Sequence, residues 1–338
     1  MCRSDPLEAL VNCVGLTPWR LCKENKRVLE KELEWFEKRC QGGNHREGQS
    51  CTEYSADGVE KAHAGYPIQW LRKDKPMTSH NHMILHVPHD STYIPEEERG
   101  RYLLTETELA EEVRRMTDHR TYALVEGALP PEQVIRAGVS RLVVDVERFI
   151  EDDREPMSKK GMGVIYEKTS DGRPLRRELT KQERQDLLQA WYFPHHRRLA
   201  DAVESVLERS GKALIIDIHS YPGVPLAYEL SKDAYRPEIC IGTDEYHTPT
   251  LVAERALEIF QSLGCDTALN TPFSGTIVPE KHYRKDPRVS SLMIEIRRDK
   301  YMDERACKRG TNFFKTRGKL LRALEELGDM KVSCSELL

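Results

Sequence analysis

No run of about 18 uncharged apolar residues occurs in this sequence, which excludes a helix built to span a membrane. A large excess of either charge is also missing. The 52 basic and 56 acidic residues leave a formal charge of −4. So balanced a chain has no global electrostatic reason to bind nucleic acid or an anionic membrane. There is no internal repeat. Met1 to Leu16 lacks the basic start and long apolar stretch of a signal peptide, so a cytoplasmic location is expected. No C-x-x-C pair occurs among the nine cysteines. Five of them, Cys2, Cys13, Cys22, Cys40 and Cys51, lie near the N-terminus, and the rest are Cys240, Cys265, Cys307 and Cys334. An odd number without a secretory signal reads as reduced thiols. Their irregular spacing gives little ground for a cysteine zinc site. Cys240 and Cys265 lack the activating neighbour that marks a nucleophile.

What is present is enough for a sizeable core. The chain has 338 residues, 38 % hydrophobic and 32 % charged. That excludes collagen, a disulfide miniprotein and a wholly disordered chain, and fits one large domain or two modest ones. Residues 1–40 read as helical, with Val28, Leu29, Leu33, Trp35 and Phe36 set among charges. Residues 41–66 are polar and glycine-rich, as a linker is. The expected organisation is therefore an N-terminal helical extension with its linker (1–75), a main domain (76–330) and a short tail (331–338).

Within the main domain, short apolar runs alternate with helical patterns, the α/β signature. Strands are expected at 83–87, 133–137, 141–146, 213–218, 239–242 and 292–296. Helices are expected at 106–126, 181–209, 249–263 and 302–327. Thr180 and Glu183 form a capping box for the second helix, and 151–174 reads as an excursion loop.

Open α/β sheets collect chemistry just past the C-terminal ends of their parallel strands. Polar clusters stand at such places: Val87-Pro88-His89-Asp90-Ser91, Asp145-Val146-Glu147-Arg148, Asp217-Ile218-His219-Ser220-Tyr221 and Ile294-Glu295-Ile296-Arg297-Arg298. A fifth, Thr117-Asp118-His119-Arg120, lies on the first long helix. One histidine so placed is more often a core residue bonded to a carbonyl. Two, His89 and His219, at the ends of separate apolar strands point to a pair of zinc ligands that one carboxylate would complete. Glu295 interrupts an apolar strand. On an edge strand it would face water, and on a central one it would be buried, with a raised pKa suited to general base work. Arg148 offers a planar fork for a substrate carboxylate, or else a surface ion pair with Glu147 or Glu151.

Taken in order, these pieces resemble the N-formylglutamate amidohydrolase family. Val87-Pro88-His89-Asp90-Ser91-Thr92-Tyr93-Ile94-Pro95 resembles its Pro-His-Ser-Gly stretch. Thr117-Asp118, Leu142 to Arg148, Pro194-His195-His196 and Asp217-Ile218-His219-Ser220 follow in the family's order. So do Asn270 to Gly275, Lys281-His282-Tyr283, and Ile294-Glu295-Ile296 with Tyr301 to Glu304. The resemblance spans roughly residues 80–305.

It implies a three-layer sandwich around a mixed sheet, similar to zinc carboxypeptidases, and one Zn2+ per chain. His89, Asp118 and His219 would hold the zinc. Glu295 would activate the metal-bound water and then protonate the leaving nitrogen. Arg148 would bind a substrate carboxylate, with His282 and Arg298 on the pocket wall and His196 structural or supporting. The implied partner is a small N-acyl amino acid, with neither nucleic acid nor membrane.

Three departures stand out. Asp90-Ser91 replace the usual Ser-Gly, which puts Asp90 beside the metal or behind a ligand imidazole. Glu147 replaces an Asn and would repel an acidic substrate at the clamp. Tyr122 stands where a second Asp is usual. A carboxypeptidase-type peptidase and a non-catalytic small-molecule binder are the alternative functions.

Overall fold

The computed structural model describes residues 80–229 and 235–330. The expected N-terminal helix and linker, the five N-terminal cysteines, Cys334 and the tail lie outside the described residues. Among the described residues, six strands make one sheet: β1 (Met83–Val87), β2 (Val134–Arg136), β3 (Ala213–Tyr221), β4 (Ile239–Gly242), β5 (Thr267–Leu269) and β6 (Val289–Arg297). Their order is β2-β1-β3-β6-β4-β5. The first four in that order are parallel, β4 runs antiparallel to β6, and β5 is parallel to β4. The α/β class with a mixed central sheet is thus the one the chain adopts. The helices are α1 (Glu96–Arg99), α2 (Glu106–Met116), α3 (Thr121–Val125), α4 (Lys181–Leu187), α5 (Phe193–Ser210), α6 (Thr250–Ser262) and α7 (Phe313–Gly328). No helix among the described residues is long and apolar enough to cross a membrane.

Both sheet faces are covered. On one, Leu85, Ile216 and Ile294 pack with Leu124, Ala256 and Leu324 of α3, α6 and α7. On the other, Ile84, Ile215 and Val289 pack with Leu199, Val203 and Val206 of α5. Burial on two faces explains why β3 reads as an almost unbroken apolar run. Side chains alternate along a strand. The α5 face of β1, β3 and β6 therefore continues from those apolar residues into His86, Asp217, His219 and Glu295. All four are buried, near the C-terminal ends of parallel strands, where the site belongs.

Three elements depart from expectation, each for a local reason. The single helix expected over 106–126 breaks after Met116. Thr117 is extended and Arg120 has a φ of 66°, so α2 and α3 are separated by the turn that carries Asp118. The strand expected at 141–146 is a turn instead. Its apolar residues are buried as anticipated, but Ser140 and Asp145 capture the backbone: Val143 N–H donates to the Ser140 carbonyl and Glu147 N–H to Asp145 Oδ1. The helix expected from Met302 starts only at Phe313. Asp303 Oδ1 accepts from the N–H groups of Arg305 and Ala306, turning the chain into a small hairpin, β7 (Met302–Asp303) with β8 (Lys308–Arg309).

The helix expected over 181–209 is present but not regular. A π-helical turn, Leu188–Tyr192, links α4 to α5, and Pro194 follows it in the first turn of α5. Proline has no N–H to give to an interior helical bond, so the register shifts there. The Thr180–Glu183 capping box forms, and Thr105 with Glu108 makes a second on α2.

Candidate active site

Three buried side chains meet where β1 and β3 end. His89 follows β1 directly after Pro88. Asp118 sits in the break between α2 and α3, where its N–H donates to the His89 carbonyl at 2.9 Å. His219 comes from β3. Nδ1 of His89 and Nδ1 of His219 lie 3.3 Å apart. Asp118 Oδ2 is 3.3 Å from His219 Nδ1 and 3.8 Å from His89 Nδ1. Two ligands of a tetrahedral zinc at about 2.0–2.1 Å stand about 3.3 Å from each other. The three donor atoms therefore form one triangular face of such a site and leave the fourth position open.

The surroundings fix each donor. His89 Nε2 donates to Asp145 Oδ1 at 2.8 Å, so its proton stands on Nε2 and the Nδ1 lone pair faces the triangle. Asp145 accepts in turn from Arg141 Nη2 (2.8 Å) and Tyr166 Oη (2.5 Å). Burial alone would raise the Asp145 pKa, but Arg141 and His89 hold it well below the carboxylate range. Asp118 Oδ1 accepts from Arg298 Nη2 at 2.8 Å and Oδ2 from Ser220 N–H at 3.1 Å. Despite burial, its two imidazole neighbours and Arg298 keep it ionised. Burial pushes the His219 pKa down, and the carboxylates of Asp217, Glu147 and Asp118 more than offset that.

Glu295 stands opposite His219 in the β3–β6 register. It is buried, and its Oε2 has no hydrogen-bond partner among the described residues. Burial, with Asp118 and Glu147 adding to it, pushes its pKa up to about 8. β6 lies between β3 and β4, which excludes the edge-strand alternative.

The profile of the N-formylglutamate amidohydrolase family matches residues 81–302. The chain belongs to that family. The crystal structure of N-formylglutamate amidohydrolase from Ralstonia eutropha JMP134 is similar in fold, with a TM-score of 0.64 and 24 % identity over 73 % of this chain and 93 % of that one. A gene product from Agrobacterium tumefaciens is similar at a TM-score of 0.49 and 19 % identity, over 73 % of this chain and 88 % of that one. No curated protein sequence matches significantly. Membership makes this protein a hydrolase of the amidohydrolase type.

In this amidohydrolase the remaining sequence candidates fall in varied places. Arg298, expected on the pocket wall, donates instead to Asp118, to the Ser220 carbonyl and hydroxyl and to the Arg115 carbonyl. It holds the Asp118 carboxylate in place. His282 contacts Asp286 at 3.2 Å, not the trio. Arg148 neighbours Asp145 (3.6 Å) and Glu155 (3.5 Å), not Glu147 or Glu151, and its buried Nε has no hydrogen-bond partner among the described residues.

Asp90 pairs with Arg136 at 3.3 Å, and the imidazole of His89 is held by Asp145 in its place. Glu147 turns to the histidines, 3.0 Å from His219 Nε2. His196 Nε2 bonds the Val146 carbonyl at 2.8 Å, a supporting contact. Cys240 is buried, donates to the Phe273 carbonyl, and burial pushes its thiol pKa up to about 12, unlike a nucleophile.

The cluster around His89 and His219 also contains residues that sequence reasoning passed over. Asp145 was visible only as a neighbour of Arg148. His86 interrupts an apolar strand just as Glu295 does, and the same signal would have found it. His195 Nε2 lies 2.8 Å from His86 Nε2.

Proposed function

We propose that this amidohydrolase cleaves the amide bond of an N-formyl or N-acyl amino acid, N-formylglutamate being the model substrate, with one zinc ion on His89, Asp118 and His219 and with Glu295 as the base. The observation that carries the reading is the convergence of three buried donor atoms beside a carboxylate with an unpartnered oxygen and a raised pKa. The donor set fits the ion: two imidazoles and one carboxylate, three sides of a tetrahedron, with one position open. When bound there, zinc supplies a Lewis acid that polarises the scissile carbonyl and lowers the pKa of water.

The protein's own groups do the rest. Arg298 and the Ser220 N–H keep Asp118 ionised and oriented. Asp145 keeps the His89 proton on Nε2. Glu295 takes a proton from the attacking water and passes it to the leaving nitrogen, which a pKa near the working pH allows in both directions. Arg148, which is partly exposed beside Asp145 and Glu155, receives the α- or side-chain carboxylate of the substrate. Glu147 faces the histidines, so it leaves that clamp free for an acidic substrate.

The test is elemental mass spectrometry of the purified protein beside assays on N-formylglutamate and other N-acyl amino acids. Hydrolysis that disappears in Asp118→Asn together with one equivalent of zinc supports the reading. Release of C-terminal residues from peptides, or ligand binding without turnover, overturns it in favour of a peptidase or a binding protein.

A further inference from the structure

A second set of donors lies beside the trio, and the reaction above leaves it unused. His86 Nδ1 is 2.8 Å from Asp217 Oδ1 and 3.5 Å from Glu147 Oε1. The far nitrogen of His219, Nε2, is 3.0 Å from Glu147 Oε2 and 3.0 Å from Asp217 Oδ1. His219 is only 4 % exposed. Its Nε2 nevertheless makes no hydrogen bond of acceptable geometry among the described residues, and neither does Glu147 Oε1. Four of the separations among these groups run from 2.8 to 3.5 Å, with one Glu147 oxygen toward each imidazole, near the spacing of about 3.3 Å between ligands of a tetrahedral ion.

We propose that His86, Glu147 and Asp217, with His219 Nε2 as fourth donor, form a second divalent-cation site, and that the His219 ring bridges the two ions. The donor set, two imidazoles and two carboxylates, suits zinc or a similar first-row divalent ion. It also accounts for two carboxylates, Glu147 and Asp217, standing against one nitrogen, since a dication between them offsets both charges.

In the structure His86 Nδ1 donates to Asp217 Oδ1 at 2.8 Å. With Nδ1 on the ion instead, the ring proton stands on Nε2, 2.8 Å from His195 Nε2, which accepts it. On bridging, His219 releases its one remaining ring proton to solvent, and the resulting negative charge is shared by two dications. Four protein donors close this site, whereas three leave the trio open. The second ion is therefore structural, setting the His219 ring in place, and not a second catalytic centre. The site shares His219 with the proposed zinc but does not depend on the reaction proposed for it.

The test uses the full chain, stripped with a chelator, reloaded with Zn2+, desalted and counted by elemental mass spectrometry. The expected result is two equivalents in the wild type, and one in each of Glu147→Gln and His86→Gln, with circular dichroism unchanged in at least one of them. Cobalt loading distinguishes the cysteines: the equivalent lost in Glu147→Gln should carry no thiolate-to-cobalt absorption band. The proposal falls if both variants keep the wild-type count, if both lose every equivalent, or if the lost equivalent shows the thiolate band. Asp118→Asn separates the two readings. If it keeps two equivalents while Glu147→Gln loses one, the second site stands and the proposed zinc on the trio does not.

Discussion

Asp145 and Glu295 are both carboxylates removed from water within the same site, and the protein treats them in opposite ways. Asp145 receives hydrogen bonds from His89, Arg141 and Tyr166 and from the Glu147 N–H, and it stays ionised. Glu295 has one oxygen with no donor, anionic neighbours in Asp118 and Glu147, and a pKa near 8. Burial is common to both. The number of donors aimed at each separates them. A carboxylate fully satisfied by donors is fixed in charge and can orient a neighbour. One left short of donors can gain and lose a proton near neutral pH, and divergent pKa values of this kind mark acid and base roles.

The sharpest way to break the comparison is at Glu295. Glu295→Gln keeps the size and removes the titrating group. Turnover on the best N-acyl amino acid should fall about 10²–10⁴-fold, while the zinc count of the trio is retained. Turnover that survives would remove Glu295 from the mechanism. A smaller effect is expected at the other member of the pair. Asp145→Asn takes away the charge that holds His89, and zinc affinity should weaken about 10–100-fold, read by competition with a chromophoric chelator. Unchanged affinity would reduce Asp145 to a packing residue.

The subtlest expectation concerns stability without metal. Glu295 has a folded pKa of about 8 against 4.5 for the free side chain. A raised acid favours the folded state fully at low pH, and that advantage is lost as pH rises toward the folded value. The melting temperature of metal-free Glu295→Gln, relative to wild type, should therefore climb between about pH 4.5 and 8 and level off above it. A difference that stays flat across this window would mean that Glu295 has a donor in solution.

The same contrast explains what the sequence could and could not reveal. Strong apolar runs such as Ala213 to Ile218 and Ile239 to Gly242 were legible as strands, because a two-faced core demands them. His219 stood out just past the first of those runs, and Glu295 as a polar interruption in the run Leu292 to Ile296. Leu142 to Val146 was equally apolar and equally buried, yet it is a turn. The burial was readable, but the hydrogen bonds that Ser140 and Asp145 make to nearby backbone were not. β5 was missed, being three residues long and half-exposed at the sheet edge. The contacts of Glu147 and Arg298 were not legible for a related reason. Each lies beside the expected motif in sequence, but the direction of a long side chain depends on which charges the fold brings near it.

The hydrogen bond between the Asp118 peptide and the His89 carbonyl has one more consequence. Two of the three proposed ligands are tied through their main chains, and the third sits in a central strand. The arrangement is preorganised by the sheet and the helix break, so an arriving ion has few freely rotating groups to immobilise. Small zinc domains collapse when stripped, because the ion itself assembles them. Here the scaffold is assembled by its own core, so a chelator should empty the centre and leave the fold standing.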